Sequence, residues 1–169
     1  KAVLLQAEDL RFAFHEMQSH PSVAPGKAAL GAWSVGGVAT ALLAMRNSNI
    51  VALVSLDAAT GYRYGKELLE ASPHYDAGAA NAAYLHLTDS MQSLRVPKNF
   101  DYLERVARGP AYLVEIPALN HAQFTSLWAV ALESAKPSAS SSAVKAAYDE
   151  VCRVTLAFLD AFVKKGWGG

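Results

Sequence analysis

A serine hydroxyl is a poor nucleophile near neutral pH. It needs an imidazole to take its proton and a carboxylate to hold that imidazole in one tautomer. Ser34 stands in "AWSVGG", with Ala32 two residues before it and Gly36 two after. This is the G-x-S-x-G nucleophile elbow with alanine in the first place, and Gly37 extends the small surface where a helix packs down. Small neighbours let a strand turn sharply into a helix and leave the hydroxyl clear of the sheet. Serine is also a favoured helix N-cap, so the pentapeptide alone leaves Ser34 as nucleophile or cap. The nucleophile needs strand, turn and helix in that order, and the flanking residues read that way.

Five histidines are candidates for the base. His15 falls within a helical pattern and His86 within a strand pattern, while His20 and His74 read as exposed or packed residues. His121, in "NHAQF", directly follows the last strand in a loop that opens a helix; its alternative is a histidine exposed in that loop. Two carboxylates compete for the acid. Asp89 ends the strand before the last, and Asp57 ends the strand after the nucleophile helix, 23 residues beyond Ser34. Either also suits a turn aspartate that bonds its own backbone, and periodicity does not choose between them. The backbone N–H of Val35, next after the serine, is the expected first oxyanion donor. The second is expected from a loop after an early strand.

The elements that must position these groups alternate along the chain. Leu10, Ala13, Phe14 and Met17 give residues 3–19 a helical period, which Pro21 and "APG" end. "AALGAW" (28–33) reads as a buried strand, and residues 38–46 as an alanine- and leucine-rich helix. "IVALVSL" (50–56) is a strand covered on both faces. Residues 58–82 read as irregular, with Gly61, Gly65, Pro73 and Gly78 and one helical turn around "KELLEA". A strand follows at 83–88, then a helix starting at Pro97 with Phe100, Leu103, Val106 and Ala107 as its stripe. "AYLVEI" (111–116) is the fourth strand, and Phe124, Leu127, Trp128 and Ala131 again show helical spacing. "KPSASSS" (136–142) reads as a polar loop before a last helix from Val144 to Lys164, stopped by Gly166. Tyr148, Val151, Thr155, Phe158, Leu159 and Phe162 form its apolar side.

Such alternation predicts an α/β class: a doubly wound, mostly parallel sheet flanked by helices, within a single domain over 1–169. Function in such sheets gathers at the carboxyl ends of the strands, which marks Ser34, Asp57, Asp89 and His121. Four strands are few for a complete sheet. The chain starts at Lys1 and enters a helix at once, so it reads as an N-terminally incomplete portion of something longer, or a processed product. On that expectation the second oxyanion donor lies outside the sequence, and this piece alone is weak or inactive.

Apolar residues make up 52% and charged residues 18%, enough for a real core. Lysine and arginine total 15 and so do aspartate and glutamate, leaving no basic face of the kind nucleic acid needs. Cys152 is the only cysteine, which excludes an internal disulfide and a cysteine-rich metal site. No apolar run approaches a membrane span. No metal or organic cofactor is implied, and compartment and oligomeric state carry no sequence signal.

The stretch from Ala28 to Asp57, with "HAQFTS" at 121–126, resembles α/β-hydrolases of the dienelactone hydrolase and platelet-activating-factor acetylhydrolase group. In the acetylhydrolases an S-x-G-G elbow leads through one helix to a strand ending in a leucine–aspartate pair, whose aspartate is the triad acid. The histidine there lies in an H-x-x-F-like run followed by F-T or a similar pair. Here those positions read "SVGG", "SLD" and "HAQFT". The resemblance implies an α/β-hydrolase fold with Ser34 as nucleophile, Asp57 as acid and His121 as base, and leaves Asp89 as a turn residue. It implies a serine ester hydrolase acting on a small or lipid-like carboxylic ester. Ala32 and the 58–82 segment depart from the family pattern; Tyr62, Tyr64 and Tyr75 in that segment line a substrate site or pack the core. The same triad serves a serine peptidase, though no amine-anchoring acidic pair is visible. A non-catalytic binding module of this fold would use Ser34 only as a cap.

Overall fold

The computed structural model describes residues 2–23, 26–89, 97–105, 109–128 and 139–164. Along the chain come α1 (Ala2–Gln18), β1 (Ala28–Trp33), α2 (Gly36–Ala44), β2 (Ile50–Leu56), α3 (Arg63–Glu70), β3 (Ala83–Thr88), α4 (Asp101–Arg105), β4 (Ala111–Glu115) and α5 (Ala139–Leu159). The strands form one sheet in the order β1-β2-β3-β4, and every neighbouring pair is parallel. This is an α/β architecture with helices on both faces.

Alternation along the strands divides the core into two layers. Leu53 and Tyr84 point to the face covered by α1, α2, α3 and α4, against Val38, Leu42, Leu69 and Tyr102. Val54, Leu85 and Leu87 point to the other face, against Val151 and Phe158 of α5 and Phe162 just beyond it. Cover on both sides is what the apolar run Ile50–Val54 of β2 and the fully buried strand β3 require. Burying one such leucine or phenylalanine contributes about 1.5–3 kcal/mol. Register then sets the site: Trp33 lies opposite Leu56, Leu56 opposite Leu87, and Leu87 opposite Val114. Ser34, Asp57 and Thr88 therefore leave the sheet side by side at one edge.

The observed elements differ from the expected ones in ways that packing explains. α2 begins at Gly36, ahead of Val38, because the helix start is pressed against the segment after β2. A Cβ on Gly37 would stand 2.5 Å from the Cβ of Ala58. The segment read as irregular holds a 3₁₀ turn at Ala59–Gly61, the two-turn α3 and a second 3₁₀ turn at Ala77–Ala79. Gly65 obscures α3 in the sequence, since glycine is a poor helix former. It is there because a Cβ would fall 1.7 Å from the carbonyl oxygen of Ala59.

Pro97 does not open a helix. Its carbonyl accepts from Arg63 N–H at 3.0 Å, and Asn99 N–H donates to the Gly61 carbonyl at 2.9 Å, so 97–99 runs antiparallel to 61–63. α4 starts instead at Asp101, whose N–H donates to Asn99 Oδ1 at 3.1 Å. Val106 and Ala107, expected on its stripe, lie outside the described residues, as do Ala131 and Gly166. A 3₁₀ turn at His121–Phe124 precedes a helical stretch at 126–128. α5 starts at Ala139, inside the expected polar loop, whose residues 136–138 also lie outside the described part. Serines are tolerated in a first turn, where backbone N–H groups lack intrahelical acceptors and hydroxyls can serve them. The helix ends in a π-helical turn, Asp160–Lys164. Among the described residues, no helix is long and apolar enough to cross a membrane.

Candidate active site

Ser34 occupies the turn between β1 and α2 with φ 56°, in the left-handed region that costs a residue with a side chain roughly 1–2 kcal/mol. The turn is held from behind: the Ser34 carbonyl accepts from Ala59 N–H at 2.8 Å and from Gly37 N–H at 3.2 Å. A Cβ placed on Gly36 would meet that of Ala32 at an ordinary 3.6 Å, so alanine in the first elbow place fits. The cap position of α2 is Val35, and no side chain caps it. The Ser34 hydroxyl lies instead 3.1 Å from His121 Nε2.

His121 is presented by a turn with its own locks. Asn120 Oδ1 accepts from Ala122 N–H at 3.2 Å, while Gln123 Oε1 accepts from Asn120 N–H at 2.8 Å, a capping box around the imidazole. Phe124, 1% exposed, anchors the turn in the core under α5. Trp33, the residue before the serine, donates from its indole N–H to the His121 carbonyl at 2.8 Å. Its ring stacks on the imidazole with centroids 4.9 Å apart.

Asp57 completes the line: its Oδ2 is 2.6 Å from His121 Nδ1, and its side chain is wholly buried. Like Ser34 it has a positive φ, 45°. Its other partners include the Tyr62 hydroxyl, 2.8 and 2.7 Å from Oδ1 and Oδ2, and, at Oδ1, Thr88 Oγ1 at 3.0 Å and Lys98 Nζ at 3.1 Å. Burial pushes the carboxyl up, but the bonds from His121 and Tyr62 and the charge and bond of Lys98 outweigh it. The net effect holds Asp57 below the usual carboxylate value. An ionised carboxylate only accepts, so Nδ1 carries the imidazole hydrogen. Nε2 then presents its lone pair to Ser34, which donates. In that arrangement Ser34 can lose a proton to His121 while Asp57 stabilises the imidazolium.

Of the two competing aspartates, Asp57 meets His121. Asp89 Oδ1 is bound by Lys98 Nζ at 2.5 Å, and its backbone N–H points to Asp57 Oδ1 at 3.4 Å. The Val35 N–H faces no acceptor among the described residues, leaving it available as an oxyanion donor. Tyr62 does more than pack, since its hydroxyl serves Asp57. Burial first, and Asp57 next, push its phenol up. Tyr64 and Tyr75 are partly buried against the helix-covered core. His15 lies on α1, and His86 is buried in β3 with Nδ1 2.7 Å from Ser55 Oγ.

Lys98 and Trp33 escaped the sequence reading. Lys98 had no local signal, because only the fold brings its side chain between Asp57 and Asp89. Trp33 had none beyond its place before the serine. Among the described residues, no group of three or more His, Cys, Asp or Glu side chains is placed to hold a metal ion. Compared with protein-family models, curated proteins and solved structures, the chain matches none.

Proposed function

We propose that this protein is a serine ester hydrolase of α/β-hydrolase type, working through an acyl-enzyme on a small or lipid-like carboxylic ester. The observation that carries the reading is the hydrogen-bonded line Asp57–His121–Ser34, with contacts of 2.6 and 3.1 Å, at a strand-to-helix elbow whose serine has φ 56°. A parallel sheet with the connecting helices on one face and α5 on the other is compatible with that fold.

In the first half-reaction, Ser34 Oγ adds to the ester carbonyl carbon while His121 Nε2 takes the hydroxyl proton. Charge gathering on the carbonyl oxygen is met by the Val35 N–H. Collapse breaks the C–O bond to the alcohol, which leaves with the proton from His121, and the acyl group stays on Ser34. Water then adds to the acyl carbon, giving its proton to the same nitrogen. The acid departs and Ser34 regains its hydrogen.

A fluorophosphonate probe tests this, because it phosphonylates only a serine activated by such a base. Mass spectrometry of the labelled protein should place the adduct on Ser34. Ser34→Ala should abolish it and lower ester turnover on the order of 10⁴- to 10⁶-fold. A folded protein that carries whatever precedes Lys1 and whose Ser34 stays unmodified would sink the reading.

A further inference from the structure

The steps above use one member of a buried cluster of charges. Lys98 is 8% exposed, and its ammonium lies 2.5 Å from Asp89 Oδ1, 2.6 Å from Thr88 Oγ1, 2.8 Å from the Tyr62 hydroxyl and 3.1 Å from Asp57 Oδ1. Its backbone is pinned by the antiparallel pairing of 97–99 with 61–63, so the side chain is delivered to this place by the fold. A charge so far from water persists only among bonded opposite charges. Two aspartates supply them, and only one of the two touches His121.

We propose that Lys98 is a positioning residue which, with Asp89 as its counter-charge, sets the basicity of His121 through Asp57. The proposal deepens the hydrolase reading and rests on it for its catalytic consequence alone. One part is geometric: Lys98, Thr88 and the Asp89 N–H face Asp57 Oδ1, while Oδ2 accepts from His121 Nδ1 and the Tyr62 hydroxyl. The other part is charge. Asp57 and Asp89 with Lys98 carry one net negative charge, which becomes zero when His121 takes the serine proton. Without Asp89 the cluster would be neutral and would resist the imidazolium. Without Lys98 it would be doubly negative and would hold the proton too firmly for His121 to return it to the leaving group. Among the described residues, the groups facing His121 and Asp57 include Ser34 and Trp33 from the elbow, Tyr62 ahead of α3, Thr88 and Asp89 at the end of β3, and Lys98, with Tyr64 and His86 also within electrostatic reach of Asp57. Only Asp89 and Lys98 among them are charged.

The test is an NMR titration of the full chain carrying isotope-labelled histidine, with the His121 signal assigned by its loss in His121→Gln. Lys98→Met should raise the His121 midpoint on the order of one pH unit. Asp89→Asn, one bond further away, should lower it by less. The double variant, which restores the net charge, should return close to wild type. Loss of packing alone has no reason to give shifts of opposite sign. Shifts in the same direction, or none, overturn the proposal. If Lys98→Met does not fold, Asp89→Asn decides, since it keeps the lysine and its other bonds; an unmoved or raised midpoint then overturns it. The titration needs no turnover. If opposed shifts appear in a protein that the fluorophosphonate leaves unlabelled, the charge coupling stands and the hydrolase reading falls.

Discussion

At the scale of single residues, the decisive contrast is between two aspartates that the chain presents alike. Each follows a strand of the same sheet, yet Asp57 faces His121 while Asp89 faces Lys98. Replacing Asp57 with asparagine puts an amide where Nδ1–H needs an acceptor and favours the wrong tautomer. Asp57→Asn should therefore lower kcat on the order of 10⁴-fold. Asp89→Asn should keep turnover within about tenfold at pH values above the acid limb, because no bond to His121 is lost. Steady-state kinetics of the two variants on one ester checks this, and the reverse order would overturn the assignment. Residue chemistry was legible in the sequence as far as the candidates: Ser34, His121 and a choice of acids. Lys98 was not, because a lysine in "VPKNF" reads as a solvated side chain until the fold buries it.

At the scale of elements, the elbow depends on how tightly α2 meets the segment after β2. The motif draws attention to Gly36, but the packing bears on Gly37, whose added Cβ would stand 2.5 Å from that of the fully buried Ala58. Gly37→Ala gains at most about 1 kcal/mol of helix propensity and meets an overpacking penalty of about 1–3 kcal/mol, so net destabilisation is expected. Gly36→Ala, with an ordinary 3.6 Å contact, should fold with nearly wild-type stability. Urea denaturation of both variants gives the comparison; equal stability would show that the Ala58 contact relaxes freely. The four strands and most helices were readable because periodicity is local. α3 and the start of α4 were not: Gly65 hides a helix whose reason is a contact with Ala59, and Pro97 marks a strand-like pairing with Gly61–Arg63.

At the scale of the whole molecule, a second buried polar network ties β2 to β3. His86, wholly buried, bonds Ser55 Oγ through Nδ1, with the Tyr84 hydroxyl 3.4 Å away and in turn bonded to Thr60. Burial pushes His86 from 6.5 down to about 4, with Asp57 pulling it up and Lys98 pressing it down by less. Between those values the unfolded chain binds a proton at this histidine that the native protein excludes. Stability should therefore fall as pH drops through that window, by about 3 kcal/mol across the whole of it. Urea titrations at pH 7, 5.5 and 4.5 should show the fall in wild type and a shallower one in His86→Gln, which cannot take up that proton. Parallel falls in the two proteins would place the acid sensitivity elsewhere.

By itself the sequence determined the α/β class, the positions of four strands and the small set of groups able to do acyl-transfer chemistry. Those follow from side-chain type and from periods of two and 3.6 residues, which a short window contains. Side-chain type and period left two acids open, and the resemblance pointed to Asp57. The tertiary structure brings Asp57 rather than Asp89 to His121, leaves Ser34 off the α2 cap, and alone reveals a buried lysine behind the acid. These depend on strand register, which brings Trp33, Leu56 and Leu87 into one row across segments more than 20 residues apart, and no local pattern carries that information.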